Sequence, residues 1–171
     1  MTAQRVFLDF SARKLEQLAG RIDDCLGRLD QEQIWRRGSE AENAVGNLVL
    51  HLCGNLRQWI GAGVAGLPDV RNRDGEFAAR GEVQPAELRE RLAAAVCEAA
   101  GTIRGLGEER LLESVEVQRY RLTVLEAIYH AVEHFAQHAG QILFATKQMT
   151  KRDLGYYRHL QPEAEHGETT P

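Results

Sequence analysis

Apolar residues recur at intervals of three and four along four segments of the chain, a period typical of amphipathic α-helices. The first segment runs from Arg5 to about Leu29. The second follows Ser39 and Glu42, which have the spacing of a capping box, and it ends among the glycines of residues 61–66. These two patterns predict two long helices, each with one apolar face.

The third and fourth patterns begin at residues that favour helix starts. Pro85 suits a first helical position, and the pattern that follows it ends near Gly105. Thr123 and Glu126 have the spacing of a second capping box, and the last pattern continues from them to about Met149. The sequence therefore predicts two further helices.

The stretches between these patterns lack a helical period. Residues 66–84 contain Gly, Pro, Asp and Asn, which predicts a long loop between helices 2 and 3, either a crossover connection or a functional lid. Residues 114–120 alternate in polarity and are expected to be extended. Together the segments predict an all-α fold, a four-helix bundle over residues 1–160, followed by a disordered polar tail at 161–171.

The composition narrows the set of partners. The formal net charge is -4 and acidic and basic residues are interleaved, so the chain lacks the basic patch expected of a nucleic-acid-binding protein. No apolar run approaches the roughly 20 residues that cross a bilayer, and the N-terminus lacks the apolar core of a secretion signal. We therefore expect a cytoplasmic protein with neither nucleic acid nor membrane as a partner.

Three histidines, His130, His134 and His138, lie within the last predicted helix. Residues four apart share one face of a helix, so two neighbouring imidazoles can bind the same metal ion. His130 and His138 are separated by about 12 Å along the helix axis, whereas each metal–nitrogen bond measures only about 2.0–2.1 Å. The spacing leaves open which pair is used, and a third ligand has to come from elsewhere.

His51 in the second helix is the candidate third ligand. It lies on the flank of an apolar stripe, as His134 and His138 do on theirs, and bundles build metal sites from side chains that project between facing helices. The alternative is that these histidines only pack or bind solvent, because pairs with this spacing also occur by chance.

Three stretches resemble a known superfamily: NLVLHLCGNLRQWI (47–60), HAVEHFAQHAGQI (130–142) and KQMTKRDLGYY (147–157). They are similar to the DinB-like metal-binding four-helix bundles, which include bacillithiol S-transferases and mycothiol-dependent maleylpyruvate isomerases. The resemblance covers nearly the whole chain and is nearest to an uncharacterised branch of that superfamily.

The resemblance implies which residues bind the metal. The ligands of the superfamily match His51, His134 and His138, with His130 outside this set. It also implies that water or a substrate thiolate completes the coordination and that the protein is a homodimer. We expect one divalent ion (zinc, nickel, manganese or iron, all compatible with imidazole) and, as a second cofactor, a low-molecular-weight thiol.

Other residues near the candidate ligands are weaker candidates for a role in the site. Asn55, Gln141 and His130 lie within one helical turn of a candidate ligand and are candidates for orienting its imidazole ring. Arg71 and Arg73 in the predicted loop are candidates for binding the carboxylate of an acidic substrate or thiol. For each of them, an interhelical hydrogen bond or plain solvation is the alternative.

The leading hypothesis for function is a metal-dependent enzyme, a thiol-linked S-transferase or isomerase acting on a small molecule. A three-histidine site with an open coordination position is typical of catalytic rather than structural metal sites. The alternatives are a non-catalytic metal-binding or stress-related dimeric protein, and a metal-dependent hydrolase.

Overall fold

The computed structural model describes residues 2–158, and within that range the chain is mostly helical, as predicted. The predicted polar tail at 161–171 lies outside the described residues. No helix of the described part is long and apolar enough to cross a membrane. In chain order the elements are α1 (Ala3–Arg28), α2 (Gln31–Trp35), α3 (Val45–Leu56), a π-helix (Arg57–Val64), α4 (Arg73–Ala78), α5 (Pro85–Gly105), a 3₁₀-helix (Glu108–Leu112), β1 (Ser114–Val117), β2 (Tyr120–Thr123) and α6 (Val124–Thr150).

The four long helices pack around one apolar core. Helix α1 packs against α5 and α6, and α3 packs against the same two helices. The apolar stripes of the sequence face this core, because burying one face of each helix removes the most apolar surface from water. The largest side chains that are fully buried in it are Phe135, Leu8, Leu15, Ile22, Leu26, Ile34, Leu52, Leu56, Ile60, Leu88, Leu92 and Ile103.

The two predicted capping boxes have different outcomes. At α6 the prediction is confirmed, since Thr123 Oγ1 accepts the backbone N–H of Glu126 and Glu126 Oε2 accepts the backbone N–H of Thr123. At α3 it is wrong. Ser39 and Glu42 close a turn, in which the backbone N–H of Glu42 donates to the Ser39 carbonyl, and α3 begins only at Val45.

The segment predicted as a loop at 66–84 contains the short helix α4, which packs against α3. Asn47 in α3 is fully buried, and its Nδ2 donates to the carbonyls of Glu76 and Ala79 at 2.9 and 3.0 Å. Arg37 donates to Asn47 Oδ1 and to the Phe77 carbonyl. The prediction missed α4 because six residues are too few to show a helical period, and these long-range hydrogen bonds hold the helix in place.

A short hairpin leads into α6. Residues 114–120 were expected to be extended, and β1 pairs with β2 in an antiparallel register that joins Ser114 to Thr123. Gln118 and Arg119 form the turn with φ values of 51° and 70°, as a two-residue hairpin turn requires. The prediction did not include β2, and this hairpin is an exception to the all-α description.

Candidate metal centre

Three imidazole rings converge between α3 and α6. The Nε2 atom of His134 lies 3.1 Å from Nε2 of His51 and 3.2 Å from Nε2 of His138. One ligand atom from each of the three residues lies within 4.8 Å of the others. His134 and His138 come from one face of α6 because they are four residues apart, and the packing of α3 against α6 brings in His51.

The outer nitrogens of two of these rings have acceptors that determine where the proton lies. His51 Nδ1 lies 2.9 Å from Glu76 Oε2, and a carboxylate only accepts, so this nitrogen carries the hydrogen. His138 Nδ1 lies 2.7 Å from Gln141 Oε1, which indicates the same tautomer. Both rings therefore present the lone pair of Nε2 to the centre of the group.

This arrangement of three inner nitrogens is compatible with a metal ion. Two nitrogens bound at about 2.05 Å to one ion lie about 2.9–3.4 Å apart at angles of about 90–110°, a range that includes both observed separations. Without a cation, a hydrogen on His134 Nε2 can be donated to only one of its two neighbours, which leaves the inward lone pair of the other neighbour without a donor. A cation between the three nitrogens would accept a lone pair from each of them.

Glu76 is a part of the site that the sequence analysis missed. Its side chain is nearly buried, and Arg71 binds it with two hydrogen bonds, Nε to Oε1 and Nη2 to Oε2, both of 2.8 Å. Burial raises the pKa of the Glu76 carboxyl, but the hydrogen bonds from Arg71 and His51 outweigh burial, so the net pKa is lowered. Glu76 is therefore an anion at neutral pH, able to accept from His51.

Arg71 and Arg73 occupy different positions. The Arg71 side chain is only 3% exposed and is already bound to Glu76 and to Gln58 Oε1. Its Nη2 also lies 3.0 Å from His51 Nδ1, but both atoms carry hydrogens that point to the same carboxylate. Arg73 is exposed, with its guanidinium 5.0 Å above the ring of Phe77. Of the two candidates for binding a substrate carboxylate, Arg73 alone is free of an ion pair within residues 2–158.

The three residues proposed to orient the rings also differ. Gln141 contacts His138 as described above, whereas Asn55 is buried and makes no hydrogen bond to the three converging histidines within the described range. His130 packs against Trp59, with ring centroids 3.9 Å apart, and lies 5.8 Å from the ring of His134. His130 is therefore a neighbour of the group and not one of its members.

The environment of His134 and His138 favours their neutral forms. Burial, together with the neighbouring His138 and His51 rings, lowers the pKa of His134 to about 3. Burial also lowers the pKa of His138, and the hydrogen bond with Gln141 partly offsets it. Neutral imidazoles have the lone pairs that metal binding needs. The outer nitrogen of His134 is buried and has no hydrogen-bond partner in the part of the chain that the structure describes.

The lowered pKa of His134 predicts an acid-labile apoprotein. Below pH 6.5, the ordinary pKa of a histidine, His134 binds a proton in the unfolded chain, whereas in the folded chain it does not accept one until the pH nears 3. The free energy of unfolding should therefore fall as the pH drops from about 6.5 towards 3. Denaturant unfolding of metal-free protein between pH 8 and pH 5, above the range where carboxylates titrate, measures this fall.

The control is His134→Gln, which removes the titrating ring. Its free energy of unfolding should depend less steeply on pH between 6.5 and 5 than that of the wild type. Between pH 7.5 and 8, where the ring does not titrate, the difference in the free energy of unfolding between the two proteins should stay constant. Parallel curves over the whole range would show that His134 does not titrate as described.

Comparison with known proteins identifies the family. Residues 2–158 match the family described as "Protein of unknown function (DUF1572)". A conserved protein from Enterococcus faecalis has a similar solved structure, with a TM-score of 0.73, 15% identity, and 89% of this chain and 99% of that chain covered. A DinB-like protein (YjoA) from Bacillus subtilis has a TM-score of 0.66, also 15% identity, with 86% and 96% covered. No curated protein matches the chain.

At this level of identity the two solved structures show a shared fold. The fold that this chain shares with the DinB-like protein is the fold that the sequence resemblance implies, and the family match extends over nearly the whole chain. The chain belongs to the DUF1572 family and has a DinB-like fold.

Proposed function

We propose that this chain is a metal-dependent enzyme in which His51, His134 and His138 bind one divalent ion on a DinB-like four-helix bundle. The observation that carries the proposal is the convergence of three Nε2 atoms, two of which have their lone pairs directed inward by Glu76 and Gln141. Three neutral ligands leave a coordination position for water or substrate, as is typical of catalytic sites.

The proposed reaction is thiol-linked group transfer or isomerisation. A divalent ion bound by neutral imidazoles supplies the positive charge that stabilises a thiolate at neutral pH. Support for a thiol comes from the resemblance to bacillithiol- and mycothiol-dependent enzymes. The same donor set also suits metal-dependent hydrolysis, which is the second candidate, because such a site equally lowers the pKa of water.

Arg73 is the side chain proposed to bind the carboxylate of an acidic thiol. It is exposed, and it lies over Phe77, whose ring is 4.7 Å from the ring of His51. A guanidinium in this position can pair with a carboxylate while the thiol reaches the metal centre. Arg71 cannot do the same, because Glu76 already occupies its guanidinium.

Metal content is the first prediction of this proposal. Untagged wild-type protein should carry about one divalent ion per chain, and His51→Ala, His134→Ala and His138→Ala should each lose it, because two imidazoles bind far more weakly than three. His130→Ala is the matched control and should retain the ion. Elemental analysis of protein purified without chelators measures this. Wild-type protein that stays metal-free when supplied with zinc, nickel or manganese would refute the proposal.

Thiol binding is the second prediction. In cobalt-substituted protein, added bacillithiol, mycothiol or glutathione should change the visible spectrum as sulfur enters the coordination sphere. Arg73→Ala should weaken the binding of bacillithiol and glutathione, which carry carboxylates, by roughly tenfold, in line with about 1.5 kcal/mol for a charge-assisted hydrogen bond. A small uncharged thiol, 2-mercaptoethanol, should bind the wild type and Arg73→Ala equally.

Spectra that are unchanged by every thiol would reject the thiol-linked activity and leave hydrolysis as the candidate. Equal weakening for charged and uncharged thiols would show that Arg73 does not recognise the carboxylate.

A further inference from the structure

Gly54 provides the space in which Glu76 approaches His51. It lies in α3, three residues after His51, and faces the ion pair of Glu76 and Arg71. A Cβ atom at this position would lie 1.9 Å from Glu76 Oε1 and 3.0 Å from Arg71 Nε. Any residue other than glycine would therefore force the Glu76 carboxylate to shift from the position in which it contacts Arg71 and His51.

The segment 66–84 is attached to α3 and to the π-helix that follows it, on both sides of this ion pair. On one side, Gln58 Oε1 accepts from Arg71 Nη1 at 2.9 Å, and Gln58 Nε2 donates to Asp69 Oδ2 at 2.7 Å. On the other side, Asn47 holds the backbone of α4 at the Glu76 carbonyl. Hydrogen bonds made by residues before Glu76 (Asp69 and Arg71) and after it (Ala79) thus fix the position of its carboxylate.

We propose that Glu76 is a positioning residue that couples the 66–84 segment to the metal centre. Docking of the segment increases the affinity of the histidines for the ion, and a bound ion in turn protects the segment from opening. This inference rests on the proposed metal site and adds to it a function for Gly54 and for the docking of the segment.

The physical basis is the hydrogen bond between His51 Nδ1–H and Glu76 Oε2. A cation at Nε2 draws electron density from the ring, so the Nδ1–H group becomes a stronger donor to the carboxylate. The carboxylate in turn makes Nε2 a better ligand and holds the ring in one orientation. Because coupling between two binding equilibria is reciprocal, the segment and the ion stabilise each other by the same factor.

An ion pair that only stabilises the fold would have different consequences. Arg71 and Glu76 would then hold the segment equally well with and without metal, and their loss would lower stability without a specific change in metal affinity. The two roles are separated by measuring how metal binding and segment opening depend on each other.

The first experiment measures zinc affinity by competition with a chromogenic chelator. Gly54→Ala and Glu76→Gln should each raise the dissociation constant for zinc by about 10- to 100-fold, the usual effect of removing a residue that orients a metal ligand. Gly140→Ala is the matched control: Gly140 lies in α6 two residues from His138, and a Cβ there meets nothing within 4 Å. It should bind zinc as the wild type does. Circular dichroism confirms that each variant is folded.

The second experiment measures hydrogen–deuterium exchange of residues 66–84 with and without zinc. In the wild type and in Gly140→Ala, zinc should slow exchange in this segment. In Gly54→Ala and Glu76→Gln, exchange should be faster and should respond little to saturating zinc. A merely structural ion pair would show no dependence of exchange on zinc in the wild type.

Either of two results would overturn the inference alone. Wild-type zinc affinity in both Gly54→Ala and Glu76→Gln would do so while leaving the proposed metal site intact, as would segment exchange that is independent of zinc in the wild type. Wild-type protein that binds none of zinc, nickel and manganese would overturn the proposed function, and this inference with it.

Discussion

The hydrogen bond from His51 Nδ1–H to the Glu76 carboxylate is the interaction on which the candidate centre depends. It fixes the tautomer of His51 and so decides that Nε2 faces the other two histidines with a lone pair. The carboxylate remains charged in a nearly buried position because Arg71 binds both of its oxygens. A buried anion without such a partner would be costly, and the ring beside it would lose its orientation.

The parts of this site that depend on local periodicity could be predicted from the sequence. A spacing of four places His134 and His138 on one face of α6 whatever the rest of the fold does. Thr123 and Glu126 mark the start of that helix because a capping box is complete within four residues. The mostly helical core likewise follows from apolar stripes that each need a partner face. The position of His51 on the flank of an apolar stripe made it the candidate third ligand, whereas the choice of His134 and His138 over His130 and His134 required the resemblance to a known superfamily.

The parts that depend on tertiary contacts could not be predicted. Glu76 looked like one of several charges in a polar loop, and only the docking of that loop on Asn47, across the space left by Gly54, brings it to His51. Arg71 looked available for a substrate because the sequence does not show that its partner is five residues away in the same segment. Ser39 and Glu42 have the spacing of a capping box but close an isolated turn, since a capping pair matters only where a helix follows.

The most direct test is the protonation state of the histidine side chains in zinc-loaded protein, measured by long-range ¹H–¹⁵N correlation spectroscopy. The account predicts that His51 and His138 each carry a proton on Nδ1 and bind zinc through Nε2, and that the Nε2 resonance of His134 also shifts on zinc binding. Coordination of His51 through Nδ1, or a His51 ring unaffected by zinc, would contradict the role given to Glu76 and with it the centre described here.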